Sequence, residues 1–354
     1  MSMTLRERLL ITLRGGVADR IPWNIYAWLL PKTEAGQAMH RKGLSLMGEA
    51  LPYRAIHEGV TISEERAVVA GRPMHRVCIE TPVGTLTEVA TRDPFHDSRW
   101  ITKFFITSPE DYPAAEYYFR HTRFEPDSDP FAGADAAIGD AGIVVNEIMP
   151  LPLVYLMQYW MGIEGLTEGL YLYPERLEAL LDALGQHYMR QAELAAASEA
   201  EVIWFPESVT ATVISPRLFE RYCLPLYHRA VPLVRGAGKL IIAHYDGSIR
   251  PYVKLLAGVD IPVIEAFTPP PMGDLGVAEA KAAWPDKVIW VNFPGCLYLE
   301  SAEVIKAYTL ALLREAAPGG RLVIGCTEDF PLGEFEKTYT AIGQAMAEYQ
   351  GYPW

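Results

Sequence analysis

Three residues in the C-terminal part of the chain, His244, Asp246 and Cys326, have side chains that can bind a metal ion. His244 and Asp246 are two positions apart at the end of an apolar run, where strand alternation points both side chains the same way. An imidazole, a carboxylate and the thiolate of Cys326, with a fourth position open, suit a catalytic zinc ion. We predict zinc at these residues, with Glu207 as an additional ligand or substrate contact. A gap-filling cysteine and a histidine hydrogen-bonded to a loop would account for the same residues, so both interpretations stay open.

The elements that would position these residues are short apolar runs, which alternate with helical stretches from residue 140 onward. Such alternation predicts parallel strands joined by right-handed crossovers. With a first strand at 20–24 and a less certain one near 60–62, the strands number eight, which favours an α/β TIM (β/α)8 barrel over an open doubly wound sheet. The six clear runs are 143–146, 202–205, 240–243, 263–266, 288–292 and 322–324.

Polar residues follow most of these runs. In a barrel, the carboxyl ends of the strands meet at one rim, where active sites lie. Each polar residue alone is also explained as a helix cap or a solvated loop. Because they converge on one rim, we expect an active site there. The candidates beyond the metal ligands are Asn146, Glu147 and Asn292.

The N-terminal part of the chain has a different pattern. Leucines at helical spacing predict an opening helix that ends at Gly15-Gly16. Residues 76–90 alternate around Pro82-Val83-Gly84 and predict a hairpin. We therefore expect an inserted hairpin region at about 55–105 that covers one end of the barrel. No repeat or low-complexity linker is visible, so residues 1–354 are predicted to form a single domain.

Composition limits the partners that the protein can have. The chain has 44 acidic and 31 basic residues, a net charge of −13, so its surface should repel nucleic acids and anionic membranes. The first residues lack the apolar core of a signal peptide, and the apolar stretch 143–161 is interrupted by polar residues and prolines. We expect a cytoplasmic protein with reduced cysteines, because its four cysteines are scattered.

Several segments together resemble proteins of the uroporphyrinogen decarboxylase-like superfamily, and the resemblance runs through nearly the whole chain. Its members are TIM barrels, which agrees with the fold expected from the strand pattern. The segments are Thr4–Leu10, Leu13–Pro22, Ile214–Glu220 ahead of Pro225, His244-x-Asp-Gly, Gly258-Val-Asp, Gly273-Asp and Gly325-Cys-Thr-Glu-Asp.

Two branches of the superfamily imply different functions for this chain. True decarboxylases carry arginines after the first strand that hold porphyrinogen carboxylates, but Trp23–Pro31 contains no arginine. Cobamide-dependent methyltransferases bind zinc through a His-x-Cys pair and a distant cysteine. The resemblance matches His244 to the first ligand and Cys326 to the last, while Asp246 stands where a thiolate is expected. A carboxylate in that place leaves zinc a stronger Lewis acid that suits an oxygen donor.

The resemblance therefore implies a zinc-dependent methyltransferase, the substrate-side component of an O-demethylase. It would move a methyl group from a methoxylated compound, with an aromatic compound as one option, to a corrinoid held by a partner protein. Dimers are common among relatives, so a homodimer is an option. Asn146, Glu147 and Asn292 would position the substrate. The residues expected to stack on a substrate ring are Trp23, Tyr26, Tyr155 and Trp204.

Two other functions remain as alternatives. One is a metal-free lyase that acts on a carboxylated substrate and uses Glu207 and Asp246 as acid–base residues. The other is a non-catalytic binding barrel, which the number of polar strand ends makes the weaker alternative. Metal analysis and the activity of a Cys326→Ala variant would separate the lyase from the zinc enzyme.

Overall fold

The structure is a computed structural model that describes residues 3–69, 71–92, 99–317, 320–331 and 333–351. Its centre is a closed barrel of eight parallel strands, so the predicted TIM barrel is confirmed. Within the described residues, the strands are β1 (Trp23–Tyr26), β2 (Leu44–Ala50), β3 (Tyr53–His57), β4 (Thr61–Val69), β5 (Arg72–Thr81), β6 (Gly84–Arg92), β7 (Arg99–Lys103), β8 (Thr122–Pro126), β9 (Gly142–Glu147), β10 (Val202–Phe205), β11 (Leu240–His244), β12 (Val263–Phe267), β13 (Val288–Asn292) and β14 (Leu322–Cys326).

Helices connect the barrel strands and cover the outside of the barrel. In the same residues, the α-helices are α1 (Leu5–Leu13), α2 (Glu34–Arg41), α3 (Tyr112–Arg120), α4 (Asp129–Ile138), α5 (Pro152–Tyr155), α6 (Gly162–Leu172), α7 (Pro174–Ala197), α8 (Pro216–Leu218), α9 (Leu224–Gly236), α10 (Val253–Ala257), α11 (Val277–Ala283), α12 (Ala302–Glu315) and α13 (Phe335–Gln350). Two π-helical turns, Leu156–Met161 and Phe219–Cys223, continue α5 and α8. No described helix has both the length and the apolar character needed to cross a membrane.

The barrel is formed by β1, β2 and β9 to β14, and its neighbours around the ring follow the order β1-β14-β13-β12-β11-β10-β9-β2. The six clear runs of the sequence are all barrel strands, as predicted. The eighth strand is β2, however, and not the segment near 60–62, which lies at the start of β4 outside the barrel. β2 escapes notice in the sequence because Ser45 and Glu49 interrupt its apolar residues.

The amino-terminal end of the barrel is covered by α1. A capping box starts this helix, because Thr4 and Glu7 each hydrogen-bond the backbone N–H of the other. Leu9 and Leu13 then pack into the cluster of side chains that fills the barrel interior. The predicted opening helix is therefore present, and it closes one end of the core.

An insertion between β2 and β9 forms two antiparallel sheets. Strands β4 to β7 form a four-stranded meander, and β3 pairs with β8 as a two-stranded ribbon. The predicted hairpin corresponds to β5 and β6. The insertion lies in the chain between the second and third barrel strands, so its residues lie beside the carboxyl end of β9.

Candidate active site

Strand alternation brings four side chains together inside the carboxyl end of the barrel. Tyr26 and Trp204 belong to the cluster that fills the interior. His244 and Glu265 stand two positions beyond interior residues of their own strands, so they face the same way. These residues come from β1, β10, β11 and β12, and three of them were predicted as site residues.

Glu265 is the centre of this group. Its carboxylate is fully buried and accepts hydrogen bonds from the Tyr26 hydroxyl at 2.6 Å and the Trp204 indole N–H at 3.1 Å. The Nδ1 atom of His244 donates to the same carboxylate at 2.9 Å. Because Nδ1 is engaged, the ring orientation is set and Nε2 lies 3.7 Å from the Asp246 carboxylate. The prediction that His244 and Asp246 lie together is consistent with this geometry.

Sequence analysis did not assign a role to Glu265. The sequence did contain one signal. Glu265 is the one carboxylate in an otherwise apolar strand, and it lies two positions after Val263, so it faces the interior as Val263 does. Ala266 follows it with φ of 54°, in the left-handed region, and the pairing of β12 with β13 shifts register at this point. Non-glycine residues rarely adopt that conformation, and such strain clusters at functional sites.

The charges of this group favour a protonated His244. Burial by itself would lower the pKa of the imidazole, but the charge and hydrogen bond of Glu265 and the nearby Asp246 raise it to about 10. Burial opposes the ionisation of Asp246, yet the neighbouring His244 holds its pKa below the usual value. The surroundings therefore favour an imidazolium at His244 at neutral pH, with Nε2 facing the more exposed Asp246.

Trp28 adds an aromatic surface that sequence analysis did not single out. It is 51% exposed, and its ring stacks on Tyr26 with centroids 4.5 Å apart. The ring of Trp204 is tilted against Tyr26 at 5.7 Å and meets His244 edge-on at 5.9 Å. An exposed tryptophan over this group gives the mouth of the barrel a face on which a flat ring can stack.

Cys326 does not join His244, contrary to the predicted zinc site. Gly325 is the residue of β14 that faces inward, where a Cβ atom would lie 2.5 Å from the Trp290 indole nitrogen. The next residue, Cys326, therefore faces outward, where it is buried next to Tyr298 and Tyr339. Burial raises the pKa of its thiol to about 11, so the sulfur is protonated.

The Glu207 carboxyl also lies apart from the barrel interior. It is fully buried and accepts hydrogen bonds from the Leu151 backbone N–H at 2.6 Å and the Tyr188 hydroxyl at 2.9 Å. Tyr227 hydrogen-bonds it as well, and burial raises its pKa to about 8. This carboxyl holds the segment after β9 against α7 and α9, so its proposed contact with metal or substrate has no support from its surroundings.

These positions bear directly on the predicted zinc ion. Across the part of the chain that the structure describes, no three His, Cys, Asp or Glu side chains are arranged to hold a metal ion. Of the four predicted ligands, His244 and Asp246 lie together, while Cys326 and Glu207 face other surroundings. The predicted ligand set therefore does not fit zinc in this conformation, and zinc itself stays a prediction.

The remaining predicted substrate contacts lie in different places, and not all of them are in the site. Trp23 faces outward and packs 5.9 Å from Tyr339, so it lies behind the barrel wall and not in the site. Asn292 donates to Thr268 at 3.3 Å and Glu328 at 3.0 Å, and it holds the loop after β14. Asn146 is buried, and neither polar atom of its side chain has a partner among the described residues. For the two asparagines, substrate binding stays a prediction.

Glu147 and Tyr155 line a cavity beside the mouth, together with other residues of the insertion. Glu147 faces inward at the end of β9, and its register partner on β10 is Trp204. Burial, followed by the charge of Glu49 on the adjacent strand, raises the pKa of Glu147 to about 8. Both residues are therefore accessible from the carboxyl end of the barrel, and their contact with substrate stays a prediction.

We expect Cys326→Ala to keep its methyl-transfer or lyase activity within about twofold of the wild type. The thiol contacts two tyrosines outside the barrel, so its removal should cost only about 1 kcal/mol of folding stability. Steady-state rates, urea unfolding and zinc content of the purified variant check this. A simultaneous loss of zinc and activity would show that Cys326 turns inward to bind metal.

Stability should fall as the pH rises from about 6.5 to 8. In the folded protein, Glu147 and Glu207 have pKa values of about 8 and His244 of about 10, against 4.5 and 6.5 in ordinary surroundings. The folded chain thus holds protons that the unfolded chain releases, and unfolding becomes more favourable as the pH rises. Urea unfolding at half-unit pH intervals measures the slope.

The pH range of 6.5 to 8 is limited by groups that make stability rise with pH. Burial lowers the pKa of His57 and His187, which have this effect below pH 6.5. Burial also lowers the pKa of Lys287 to about 8, so this lysine has the same effect above pH 8. A Glu147→Gln, Glu207→Gln double variant should have a flatter profile within the window. Stability that stays constant or rises between pH 6.5 and 8 in the wild type contradicts the assigned protonation.

Comparison with known proteins identifies related sequences and folds. The profile of the family described as "Uroporphyrinogen decarboxylase (URO-D)" matches residues 152–348. A search of curated proteins returned no significant match.

Among solved structures, a methyltransferase from Methanosarcina mazei is similar over 98% of this chain and 99% of that one, with a TM-score of 0.59 and 15% identity. A putative vitamin-B12 independent methionine synthase from Listeria monocytogenes aligns with 62% of this chain and 67% of that one, with a TM-score of 0.41 and 16% identity. At this level of identity, the first similarity establishes a shared fold.

Proposed function

Since the chain belongs to the uroporphyrinogen decarboxylase family, we propose that it transfers a methyl group from the oxygen of a methoxylated compound to a corrinoid carried by a partner protein. The similarity of its fold to a methyltransferase over the full length of both chains supports this choice. The observation that carries the proposal is the His244 ring, which Glu265 holds at Nδ1 so that Nε2 faces the mouth beside an aromatic surface.

The charge of the mouth argues against a porphyrinogen substrate. Three acidic side chains face the barrel interior or its rim, Glu49, Asp246 and Glu265, and Glu147 beside them offers no positive charge. The segment Trp23–Pro31, which follows β1, contains no arginine. A substrate with many carboxylates needs cationic, preferably bidentate partners, and this mouth would repel it.

His244 can act as the proton donor to the departing oxygen. When an ether loses its methyl group, the bonding pair stays on oxygen, and a proton from Nε2 converts the alkoxide or phenoxide to an alcohol or phenol. An imidazolium with a pKa of about 10 matches a phenol, whose pKa is also about 10, so proton transfer is nearly thermoneutral. Glu265 holds the ring in place, and Asp246 stabilises the imidazolium.

A reduced corrinoid on the partner protein would supply the electron pair for the new bond to carbon. The carbon–oxygen bond breaks, its pair remains on oxygen, and the oxygen takes the His244 proton. His244 then regains a proton from water at the mouth, where its side chain is 13% exposed.

The aromatic residues of the mouth favour a ring-bearing donor. Trp28 is half exposed above Tyr26, and Trp204 forms the wall next to His244. A planar ring that stacks on this surface would place a methoxy substituent near Nε2. Stacking of this kind contributes about 0.5–1.5 kcal/mol beyond area burial, so it orients the ring as well as binding it.

The lyase alternative uses Glu207 and Asp246 as acid–base residues. Asp246 is accessible, but Glu207 is enclosed by tyrosines and a backbone amide, so the two do not act on one substrate from these positions. We derive no step through zinc, because the predicted ligands do not assemble. Measurement of zinc in purified protein remains the direct test of that part of the prediction.

A methyl-transfer assay tests the proposal. The purified protein is mixed with a Co(I) corrinoid protein and 2-methoxyphenol, and the spectral change from Co(I) to methyl-Co(III) is followed together with release of catechol. We expect both products in equal amounts and much slower formation with His244→Gln. Absence of methyl transfer, together with release of CO2 from carboxylated substrates, would favour the lyase.

A further inference from the structure

A cavity of about 300 Å³ lies between the β3–β8 ribbon and the barrel, beside the mouth. We call it the ribbon cavity. Its walls come from β3, β8, α3, α7, the segment after β9 and the turn that follows α5. The lining includes Tyr53, Ala55, His57, Glu147, Tyr159 and His187. Its volume is at the lower end of the range for small-molecule sites, large enough for one substituted ring.

The ribbon has two chemically different faces. Tyr53, Ala55 and His57, at alternate positions of β3, line the cavity. Arg54, between two of them, lies on the other face and pairs with Glu125 of β8 at 3.0 Å. The charged residues therefore point to solvent, and the face toward the cavity is aromatic and apolar. An unsupported two-stranded ribbon is marginally stable, so this face needs a packing partner or a ligand.

The residues that line the cavity carry no net charge at neutral pH. Neither arginine nor lysine is among the described lining residues. Burial lowers the pKa of His57 and of His187, which keeps both imidazoles neutral, and raises that of Glu147 to about 8, which keeps its carboxyl protonated. An anionic guest would lose its hydration without gaining a cationic partner.

Glu147 offers a carboxyl that no described residue hydrogen-bonds. Its side chain is half-buried and lines the cavity. Tyr53 and His57 are already engaged, since Tyr53 donates to Gln191 at 2.8 Å and His57 lies 2.8 Å from the Thr122 hydroxyl. The Glu147 carboxyl is therefore available to hydrogen-bond a ligand in the cavity.

The ribbon cavity is connected to the candidate active site through Glu147 and Glu49. Glu147 pairs in register with Trp204, the residue that contacts His244. Glu49 is close enough to raise the pKa of both Tyr26, in the site, and Tyr159, in the cavity wall. β9 and β11 are two strand spacings apart, about 10 Å, so one molecule can reach from His244 into the cavity.

We propose that the ribbon cavity binds an uncharged aromatic ring with a hydroxyl or carbonyl group that hydrogen-bonds Glu147. This inference rests on the proposed function, because the ring would be a second ring of the methyl donor, beyond the methoxylated ring that stacks at the mouth. It narrows the substrate class to neutral methoxylated aromatics and excludes carboxylates of the same shape. The aromatic walls select for the ring, and the lack of a cationic residue in the described lining disfavours a carboxylate.

The test measures binding without any methyl acceptor, so its result does not depend on the proposed reaction. Isothermal titration calorimetry at pH 7 compares 4-(4-methoxyphenoxy)phenol, whose second ring carries the hydroxyl, with 4-(4-methoxyphenoxy)benzoate, in which a carboxylate replaces that hydroxyl. Ala55→Trp fills the cavity from its exposed rim, and Ala55→Phe fills it less. Arg54→Trp is the matched control, because it adds the same indole to the opposite face of the same strand.

We expect the neutral ligand to bind at least about tenfold more tightly than the benzoate, which corresponds to about 1.4 kcal/mol. Ala55→Trp should weaken its binding at least about tenfold and Ala55→Phe by less, while Arg54→Trp stays within about twofold. Thermal unfolding of each variant establishes that it is folded. Equal affinity for both ligands, or undiminished binding in Ala55→Trp and Ala55→Phe, overturns the proposal. Selective cavity binding without any methyl transfer would reject the proposed function alone.

Discussion

His244→Gln should lower the rate of methyl transfer by about 10²- to 10⁴-fold, the usual contribution of a positioned general acid. Glutamine can still donate a hydrogen bond, but it cannot deliver a proton to the departing oxygen. The substrate KM should change little, because the aromatic surface formed by Trp28 and Trp204 remains. Single-turnover rates with a series of methoxybenzenes measure the effect.

The leaving group provides the control for this prediction. If His244 supplies a proton, the variant should lose most with poor leaving groups and little with a methoxynitrobenzene, whose phenoxide leaves unprotonated. Glu265→Gln should change the pH profile instead. Removal of its charge lowers the pKa of His244 from about 10, so on raising the pH the variant should lose activity earlier than the wild type. A loss in His244→Gln that is the same for every donor would contradict proton donation.

Glu207→Ala should lower the free energy of unfolding by about 3–6 kcal/mol. The substitution leaves the Leu151 amide and the Tyr188 hydroxyl without their acceptor in a fully buried place, while the Tyr227 hydroxyl keeps Tyr245 as a partner. Each unsatisfied buried group costs about 1–3 kcal/mol, and the lost side-chain volume adds to this. Urea unfolding followed by circular dichroism gives the measurement.

Glu207→Gln separates the structural role of this residue from a catalytic one. Glutamine keeps an acceptor oxygen and most of the volume, so this variant should lose less than half as much stability as Glu207→Ala. Its methyl-transfer rate should stay near that of the wild type, because the carboxyl faces tyrosines and not the mouth. A folded, inactive Glu207→Gln would assign Glu207 the acid–base role of the lyase alternative.

The barrel could be predicted from the sequence because most of its strands are nearly uninterrupted apolar runs, as in β10 and β13. β2 could not be predicted in this way, because the inward-facing Ser45 and Glu49 interrupt the run of apolar residues in its sequence. The expected position of the candidate site followed from the rule that catalytic groups gather at the carboxyl ends of barrel strands.

The orientation of individual side chains was harder to predict, because a shift by one residue turns a side chain to the other face of the strand. Sequence alone could not show that Gly325, and not Cys326, faces inward, since this depends on the space taken by Trp290. Tyr26 and Trp23 differ in the same way, one inside the barrel and one outside. The role of Glu265 required coordinates, because its partners come from three other strands.

The helix α1 has a consequence for the kinetic order of the reaction. With Leu9 and Leu13 packed into the base of the core, the donor and the corrinoid domain of the proposed reaction would both have to approach His244 from the opposite end of the barrel. A docked corrinoid domain would cover the way in, so the small donor has to arrive first and its demethylated product leaves last. Initial-velocity patterns should therefore be sequential and ordered, and a large excess of the corrinoid protein should inhibit turnover.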